Sequence, residues 1–394
     1  AAERFSANLS PIPDEPLPWK HGHRSIGSPR VYGMKKWGDY FNARQKVILH
    51  SICRRLQNLP KNGLDPVGHH CELLSLAVSK LAELACANCR WEPVAECPRS
   101  IFTRHDLPTS WDYAEGVVLS ESSGSFSQTF ENLVSNIAKF GNNWSVGQVQ
   151  QCDACDIPLP NETAQVWFTD PPYYDAVAYA DLSDFFFVWL KRTLVGHPLL
   201  RDPFDRNNPL TPKANELTVT TVASEEALPK TKNFFEEGMS RAFAEGRRLL
   251  RDDGVGCVVF AHKTTEGWEA LLSGVVKGGW VITGSWPVTT EMAHRFNARD
   301  VAALASSVHL VCRPRPENAT TGDWADVLRE LPNRIGDWME RLSAEGIRGA
   351  DLVFACIGPA MEVYSRYSKV EDAEGREIPL GGDPTASEPY KRGF

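Results

Sequence analysis

Seven consecutive residues, 169–175 (TDPPYYD), combine two acids, two prolines and two aromatic side chains directly after an apolar stretch. Carboxylate and carbonyl oxygens accept hydrogen bonds, so Asp170 and the Pro171 carbonyl could each accept one hydrogen of an exocyclic amine on a flat base. Those contacts would draw the amine nitrogen toward tetrahedral geometry and aim its lone pair at an electrophilic methyl group. The motif therefore predicts chemistry on the amine of a base.

The other residues of the motif suit the same chemistry. Pro172 stiffens the turn, and residues that precede proline are held in extended conformations, so Asp170 and Pro171 are pre-set. Tyr173 offers an aromatic face for stacking. A base inside a duplex cannot reach such a pocket, so we expect it to be flipped out and held by stacking and hydrogen bonds. The competing interpretation is a proline-rich turn after a buried strand, but the order of residues favours catalysis.

Six segments share residues with one protein family: 111–115 (WDYAE), 169–192 (TDPPYYDAVAYADLSDFFFVWLKR), 260–263 (FAHK), 285–291 (SWPVTTE), 303–313 (ALASSVHLVCR) and 351–370 (DLVFACIGPAMEVYSRYSKV). The Asp-Pro-Pro-Tyr tetrad resembles the signature of the amino-group DNA methyltransferases. Much of the chain is similar to the C-terminal part of the large bacterial and archaeal adenine-specific DNA methylases. That family carries an N-terminal domain of unknown function and, in some members, a zinc ribbon.

The resemblance implies an activity, a cofactor and a partner. It implies transfer of a methyl group from S-adenosylmethionine to the exocyclic amine of a flipped adenine in DNA, with Asp170, Pro171, Pro172 and Tyr173 as the catalytic residues. The pair Asp153-Ala154, placed at the end of the preceding predicted strand, resembles the family position that contacts the adenine of the cofactor. Alternatively, Asp153 is an acidic loop residue that does not contact the cofactor. Cytosine is an alternative target, because it presents the same kind of amine, and RNA is an alternative substrate to DNA.

One part of a methyltransferase is missing from the sequence. Such enzymes hold S-adenosylmethionine with a glycine-rich loop after the first strand, where backbone approaches the ligand closely. The nearest candidates are Ser122-Ser123-Gly124-Ser125, which has one glycine, and Gly278-Gly279, which precedes a predicted strand. In the family, this loop lies upstream of every segment matched here. We therefore expect a truncated, split or partner-dependent methylase, in which a second chain or a missing N-terminal segment supplies the loop.

A function of a different class is the alternative. A DNA-binding or specificity subunit without catalysis could keep the base pocket and lose the cofactor half. The missing loop supports that hypothesis, whereas the unaltered tetrad weighs against it, because a pocket released from catalysis has no need of Asp170.

Other polar residues near predicted strand ends are candidates for substrate binding. Tyr174 and Asp175 extend the tetrad and could shape specificity. His262 and Lys263 follow a predicted strand, and Glu291 follows the next one, so all could line the path of the base or phosphate. Structural hydrogen bonds or ion pairs at loops are the competing role, because polar residues at strand ends are common in this kind of fold.

Helical and strand-like patterns alternate after residue 126, which predicts an α/β fold: a Rossmann-like, doubly wound methyltransferase sheet with a last antiparallel strand. The sheet could be incomplete at its N-terminal strands. We divide the chain into an irregular arm and helical region (1–110), a methyltransferase core (111–315) and a C-terminal helix and extension (316–394).

Several elements carry specific expectations. Residues 39–59 and 71–89 are predicted to be core-facing helices. Phe126–Phe140 is predicted to be a helix with an inward face formed by Phe126, Phe130, Leu133, Val134 and Ile137. A strand is predicted at 146–151. The aromatic stripe of the helix at 181–194 is expected in the core, and residues 198–230 form a long loop without periodicity.

Composition favours an intracellular protein with ample core. The 394 residues are 42% hydrophobic with a net charge of −8, which argues against a generally basic nucleic-acid coat. No run of about 18 apolar residues predicts a membrane span, so we expect a cytoplasmic protein. Cys86-x-x-Cys89 and Cys152-x-x-Cys155 have the spacing of zinc ligands but lack the surrounding turns, so we predict reduced thiols and no metal site.

Overall fold

The computed structural model describes residues 9–18, 27–59, 69–94, 96–99, 101–102, 106–140, 145, 147–175, 177–220, 230–262, 264–289, 306–381 and 386–392. The described residues form helices and a four-stranded sheet of mixed direction, so the chain is a mixed α/β protein, as predicted. None of the helices in these ranges is long and apolar enough to cross a membrane.

The chain divides into two compact units. The helical unit contains Ala1–Gln151, Val177–Glu216 and Thr220–Pro229, and the sheet unit contains Cys152–Ala176, Leu217–Val219 and Lys230–Phe394. The three regions expected from sequence patterns stay a prediction.

Helices dominate the first unit. Its elements are α1 (Gly27–Val31), a 3-10 helix (Trp37–Tyr40), α2 (Ala43–Gln57), α3 (His69–Leu84), the paired strands β1 (Arg90–Glu92) and β2 (Cys97–Arg99), α4 (Phe126–Phe140) and α5 (Tyr179–Thr193). Helix α2 begins where its sequence provides a cap. The Asn42 side chain accepts a hydrogen bond from the Gln45 N–H, and the Gln45 side chain accepts one from the Asn42 N–H.

The aromatic stripe of α5 lies in the core of the helical unit, as expected. Phe185 and Trp189 are fully buried. The Phe41 ring stacks on Phe185 at 5.7 Å and meets Trp189 edge-on at 5.2 Å. Each such side chain contributes about 1.5–3 kcal/mol through burial, so this cluster helps to stabilise the helical unit.

Two expectations for the helical unit were wrong. Helix α4 has the predicted bounds, and Phe126 and Leu133 are half-buried, but Phe130, Val134 and Ile137 of the predicted inward face are exposed. Residues 147–151 form no strand, and Val149 is 98% exposed. A strand needs a neighbour to satisfy its backbone groups, and none of the described strands runs beside this segment.

The second unit is built around the sheet. Its elements are β3 (Ala164–Thr169), α6 (Lys232–Leu249), β4 (Leu250–Phe260), α7 (Thr265–Lys277), β5 (Trp280–Thr289), β6 (Ser306–Pro314), β7 (Gly322–Asp323), α8 (Trp324–Ala344), α9 (Ala350–Ala355), α10 (Ile357–Ser365), β8 (Val370–Glu371) and α11 (Pro389–Arg392).

The described part of the long loop, 198–220, holds no helix or strand, as predicted.

The strand order of the sheet is β3-β4-β6-β5. Strand β3 runs parallel to β4, and β6 runs antiparallel to both β4 and β5. The predicted antiparallel last strand is therefore confirmed, although its insertion between β4 and β5 was not foreseen. Thr169, the last residue of β3, pairs with Val258 near the end of β4. The segments that follow these two strands consequently emerge at the same edge of the sheet.

Helices α6 and α7 pack on one face of the sheet. The indole ring of Trp167 on β3 lies against α6, where a Cβ on Gly246 would come within 2.3 Å of it. Only glycine leaves room for that approach. Trp268 of α7 meets Phe260 of β4 edge-on at 5.0 Å. These contacts hold the carboxyl ends of β3 and β4 in a fixed relation.

Candidate functional site

The Asp-Pro-Pro-Tyr motif lies at the carboxyl end of β3. Asp170 directly follows the last strand residue and is exposed, whereas Pro171 is buried. None of the described residues forms a hydrogen bond with the Asp170 carboxylate, so its oxygens face solvent. The half-buried Tyr173 ring meets Phe260, the last residue of β4, edge-on at 5.5 Å. The turn after β3 thus carries an exposed carboxylate and, three residues further on, an aromatic ring that packs against the core.

Tyr174 holds the turn in place. Its φ of 48° lies in the left-handed region, which is unusual for a bulky side chain. Its N–H donates to the Pro172 carbonyl at 3.0 Å, and its own carbonyl accepts from the Val219 N–H and the Thr218 hydroxyl, both at 3.0 Å. Its phenol donates to Glu266 Oε1 at 3.0 Å. Such a strained residue persists only when its surroundings over-determine it.

Burial raises the pKa of the Tyr174 phenol, and its hydrogen bond to Glu266 adds to the effect. The hydroxyl therefore stays protonated in the folded protein and acts as a donor. Its ring packs edge-on against Phe235 of α6 at 5.2 Å. Tyr174 is thus a structural anchor of the motif, with its ring in the core.

His262 joins the motif from the end of β4. Its Nδ1 accepts a hydrogen bond from the Thr264 N–H at 3.2 Å, so its Nε2 carries the ring proton. That Nε2 lies 3.5 Å from Oδ1 of Asp175, and the imidazole meets the Tyr174 ring edge-on at 5.8 Å. A Cβ on Gly267 would come within 2.2 Å of Nδ1, so glycine is required beside the imidazole.

The fold therefore brings three of the substrate-binding candidates together: Tyr174, Asp175 and His262. The other two, Lys263 and Glu291, lie outside the described residues, and their roles stay predictions.

The cofactor candidates Asp153 and Ala154 do not follow a strand, contrary to expectation, because the segment before them forms none. Asp153 instead begins a tight turn, in which its Oδ1 accepts the Cys155 N–H at 2.9 Å and its carbonyl accepts the Asp156 N–H at 3.0 Å. The Cys155 thiol lies 3.5 Å from the Gly238 carbonyl of α6. Ala154 is exposed.

These residues do not form a complete site for S-adenosylmethionine. Prolines follow β3, and Ala261-His262 follows β4, so neither described strand leads into a glycine-rich turn. One Asp153 oxygen is already occupied within its own turn. The described chain thus supplies an amine acceptor and an aromatic ring without the close backbone approach that such a cofactor needs.

Sequence reasoning missed three residues that contribute to the site. Glu266 could have been recognised from the sequence, because Thr264 is a good helix cap and places this acid in the first turn of α7, just beyond β4. Thr218 and Val219 could not have been recognised, since they lie in a long segment without periodicity. Their contact with the Tyr174 carbonyl depends on tertiary structure alone.

The two cysteine pairs differ in exposure. Cys86 and Cys89 follow α3 and are fully buried, with their Sγ atoms 3.4 Å apart. The hydrogen bond to Cys89, together with burial, raises the pKa of the Cys86 thiol. Cys152 is exposed. Across the described ranges, no three His, Cys, Asp or Glu side chains are grouped to hold a metal ion.

Comparison with protein-family models yields no match, and comparison with curated proteins finds no significant similarity. The fold and site define a mixed α/β protein with an exposed acid and an aromatic ring at the carboxyl edge of parallel strands.

Proposed function

We propose that this chain carries the catalytic motif of an S-adenosylmethionine-dependent DNA methyltransferase that acts on the exocyclic amine of a flipped adenine. It is either the enzyme itself or the motif-bearing part of a split or truncated one. The exposed Asp170 carboxylate directly after the carboxyl end of β3, followed by Tyr173 in the same turn, carries the proposal. Ligands of open parallel sheets bind at this edge.

The arrangement of strands supports a Rossmann-like methyltransferase sheet. Strands β3, β4 and β5 share one direction, and the single reversed strand is β6. Helices α6 and α7 connect successively into β4 and β5, as in doubly wound folds.

In the proposed reaction, the chain positions the amine. Asp170 and the Pro171 carbonyl accept its two hydrogens, which localises the lone pair and stabilises the positive charge that develops on nitrogen. Tyr173 stacks on the base. The hydrogen bonds of Tyr174 fix the turn before the base binds, so little ordering entropy is lost at the reaction step. His262 holds Asp175 at the rim of the same turn. S-adenosylmethionine, when bound, would supply the methyl group.

One observation favours a second function. The described residues lack a glycine-rich turn beside the motif, as expected of a DNA-binding or specificity subunit that does no chemistry. The substrate base also has alternatives, because cytosine carries the same kind of amine and RNA presents the same bases. We place the activity in the cytoplasm.

Replacement of Asp170 in the cells that encode this chain tests the proposal. We expect Asp170→Ala to remove N6-methyladenine from genomic DNA, measured by mass spectrometry of nucleosides. Asp337→Asn is the matched control, because Asp337 is an exposed acid of the same unit on α8. Loss of N4-methylcytosine, or of a methylated RNA base, would identify the other substrates. Unchanged methylation would overturn the enzymatic proposal in favour of the non-catalytic subunit.

A further inference from the structure

An open trough in the helical unit is lined by residues of α3, β2 and α4 and has a volume of about 510 Å³. Its apolar part is aliphatic. Ala77 and Pro98 are buried there, and Leu84 and Leu133 are half-buried. Ligand sites in proteins typically have volumes of about 300–1,000 Å³, so the trough is large enough to hold a ligand.

Three amide side chains of α4 line one wall of the trough: Gln128, Asn132 and Asn136. They are spaced four residues apart, so they share one face of the helix. No hydrogen bond joins any of these amides to another of the described residues. Each amide offers an acceptor oxygen and a donor nitrogen. The wall can therefore bind a ligand that presents donors and acceptors together.

The spacing of the three amides matches an extended polypeptide backbone. Positions four residues apart on a helix are separated by about 6 Å along its axis. Equivalent backbone groups of an extended chain repeat every two residues, which is about 6.6 Å. A side-chain amide can accept from a backbone N–H and donate to a backbone C=O. A helical ligand does not fit this wall, because its N–H and C=O groups already bond one another.

The charged side chains that line the trough are positive. Lys80 and Arg99 are the two cations, and none of the described lining residues is Asp or Glu, although the whole chain has a net charge of −8. The Lys80 ammonium pairs with Glu83 at 2.7 Å, but its side chain remains 54% exposed. Arg99 is exposed and forms no ion pair with another described residue. Complementary charge therefore favours a ligand with acidic side chains.

The lining suits a peptide better than a strand of nucleic acid. Proteins bind single strands by stacking the bases on aromatic side chains along a basic groove. Among the described residues that line the trough, none is aromatic. A small molecule also fits poorly, because such ligands are largely enclosed by their sites, whereas Asn132 and Asn136 are exposed.

We infer that this trough binds an acidic segment of a partner protein in an extended conformation. The amides of Gln128, Asn132 and Asn136 pair with backbone groups of alternate residues in that segment. Lys80 and Arg99 attract its carboxylates, and the aliphatic lining contacts its apolar side chains. The inference goes beyond the proposed function, because it assigns a protein partner to the helical unit and does not depend on methyl transfer.

Selection from a display library of random peptides tests the charge of the ligand. We expect the 394-residue chain to enrich peptides of net negative charge. The selected peptide should bind Arg99→Glu about tenfold more weakly, because the charge is reversed. Arg206→Glu should bind it normally, since Arg206 is an exposed arginine of the same unit that does not line the trough. Absence of enrichment, or enrichment of neutral or basic peptides, would overturn the inference.

Asn132→Leu tests the amide wall. We expect it to lower affinity for the selected peptide by about threefold to tenfold, because the hydrogen bonds of one amide are lost. Asn207→Leu is the matched control at an exposed asparagine of the same unit outside the trough. Both variants should keep the urea midpoint of the wild type, since both side chains are exposed. Equal affinity of the two variants for the peptide would count against the assigned wall and overturn the inference.

N-methylation of the selected peptide tests its conformation. Each N-methyl group removes one backbone donor, and alternate residues of an extended chain face the same side. We expect methylation to weaken binding by about threefold or more at alternate positions and to have little effect at the positions between them. Equal effects at all positions would exclude an extended ligand. Tighter binding of oligothymidylate than of the peptide would assign the trough to a nucleic-acid strand instead.

Discussion

The Tyr174 phenol donates a 3.0 Å hydrogen bond to Oε1 of Glu266, which links the turn of the Asp-Pro-Pro-Tyr motif to the first turn of α7. The residues are 92 positions apart in sequence. The position of the motif therefore depends on how β4 and α7 pack, as well as on its own prolines.

Removal of this hydrogen bond should have a measurable but modest effect. We expect Tyr174→Phe to lower the free energy of unfolding by about 1 kcal/mol, because Glu266 is exposed and regains water when its donor is lost. Urea denaturation measures the change. Tyr32→Phe, at an exposed tyrosine, should have almost no effect. Equal effects of the two substitutions would mean that the hydrogen bond does not stabilise the turn.

Replacement of two helical glycines by alanine should change the stability of the protein in opposite directions. A Cβ on Gly267 would lie 2.2 Å from Nδ1 of His262, whereas a Cβ on Gly336 would meet nothing within 4 Å. We expect Gly267→Ala to destabilise the protein by about 1–3 kcal/mol through overpacking. Gly336→Ala should stabilise α8 by about 0.5–1 kcal/mol, because alanine favours helix. Thermal and urea unfolding compare them; a neutral Gly267→Ala would contradict the His262 packing.

Arg192 should be far more important for stability than an exposed arginine. It is buried, bonds both oxygens of the buried Glu15, and also donates to the Ser10 and Ile12 carbonyls. We expect Arg192→Met to cost about 3–5 kcal/mol, because it leaves buried acceptors without their donor.

The control for that experiment is Arg329→Met. Arg329 pairs with Asp326 on the surface of α8, so its replacement should cost less than about 1 kcal/mol in urea unfolding. A small loss at Arg192, similar to that at Arg329, would show that the arm at residues 10–15 is not held by this arginine.

Alkaline pH should destabilise the sheet unit through Tyr364. Burial, followed by the nearby Glu377 charge, raises the pKa of its phenol to about 12 from 10.0. The folded state thus binds the proton more tightly, so its contribution is complete below pH 10.0 and is lost as pH rises toward 12.

Tyr364→Phe tests this assignment. Between pH 10 and 12, the wild type should lose up to about 1.4 kcal/mol per pH unit more than the variant. Urea unfolding across that range gives both slopes. Parallel slopes would show that Tyr364 is not the titrating group.

Alkylation should distinguish the cysteines. Among the ten, Cys152 is exposed and the others are buried or half-buried. We expect iodoacetamide to label Cys152 first in the native protein and to reach Cys86 and Cys89 only after unfolding, because access limits the reaction. Mass spectrometry of timed digests measures the order. Cys152→Ser should abolish the fast phase, and early labelling of Cys86 would contradict its burial.

Local periodicity predicted most elements of this fold. Helix α4 has the bounds expected from its sequence, and α2, α3 and α5 lie within a few residues of the segments predicted to be helical. The expected antiparallel strand is β6. Helix and strand periods are properties of short segments, so a sequence can display them without information from elsewhere in the chain. The position of the Asp-Pro-Pro-Tyr motif directly after a strand was predictable for the same reason.

Local periodicity did not predict which element covers an apolar face or which segments come into contact. An apolar stripe on α4 indicates a face that favours burial, but not which element covers it, and Phe130 is exposed. Likewise, a strand was predicted at 146–151, yet no described neighbour pairs with residues 147–151. The partners of an apolar face or a strand edge are long-range properties, because they depend on which other segments fold beside it.

The sequence by itself determined the order of secondary elements and the chemistry of the motif, since both depend on neighbouring residues. Tertiary structure decided that β6 lies between β4 and β5, that Glu266 and Thr218 hold Tyr174, and that β3 forms an open edge. These outcomes follow from packing between segments far apart in the chain. Only the folded arrangement brings those segments close enough to interact.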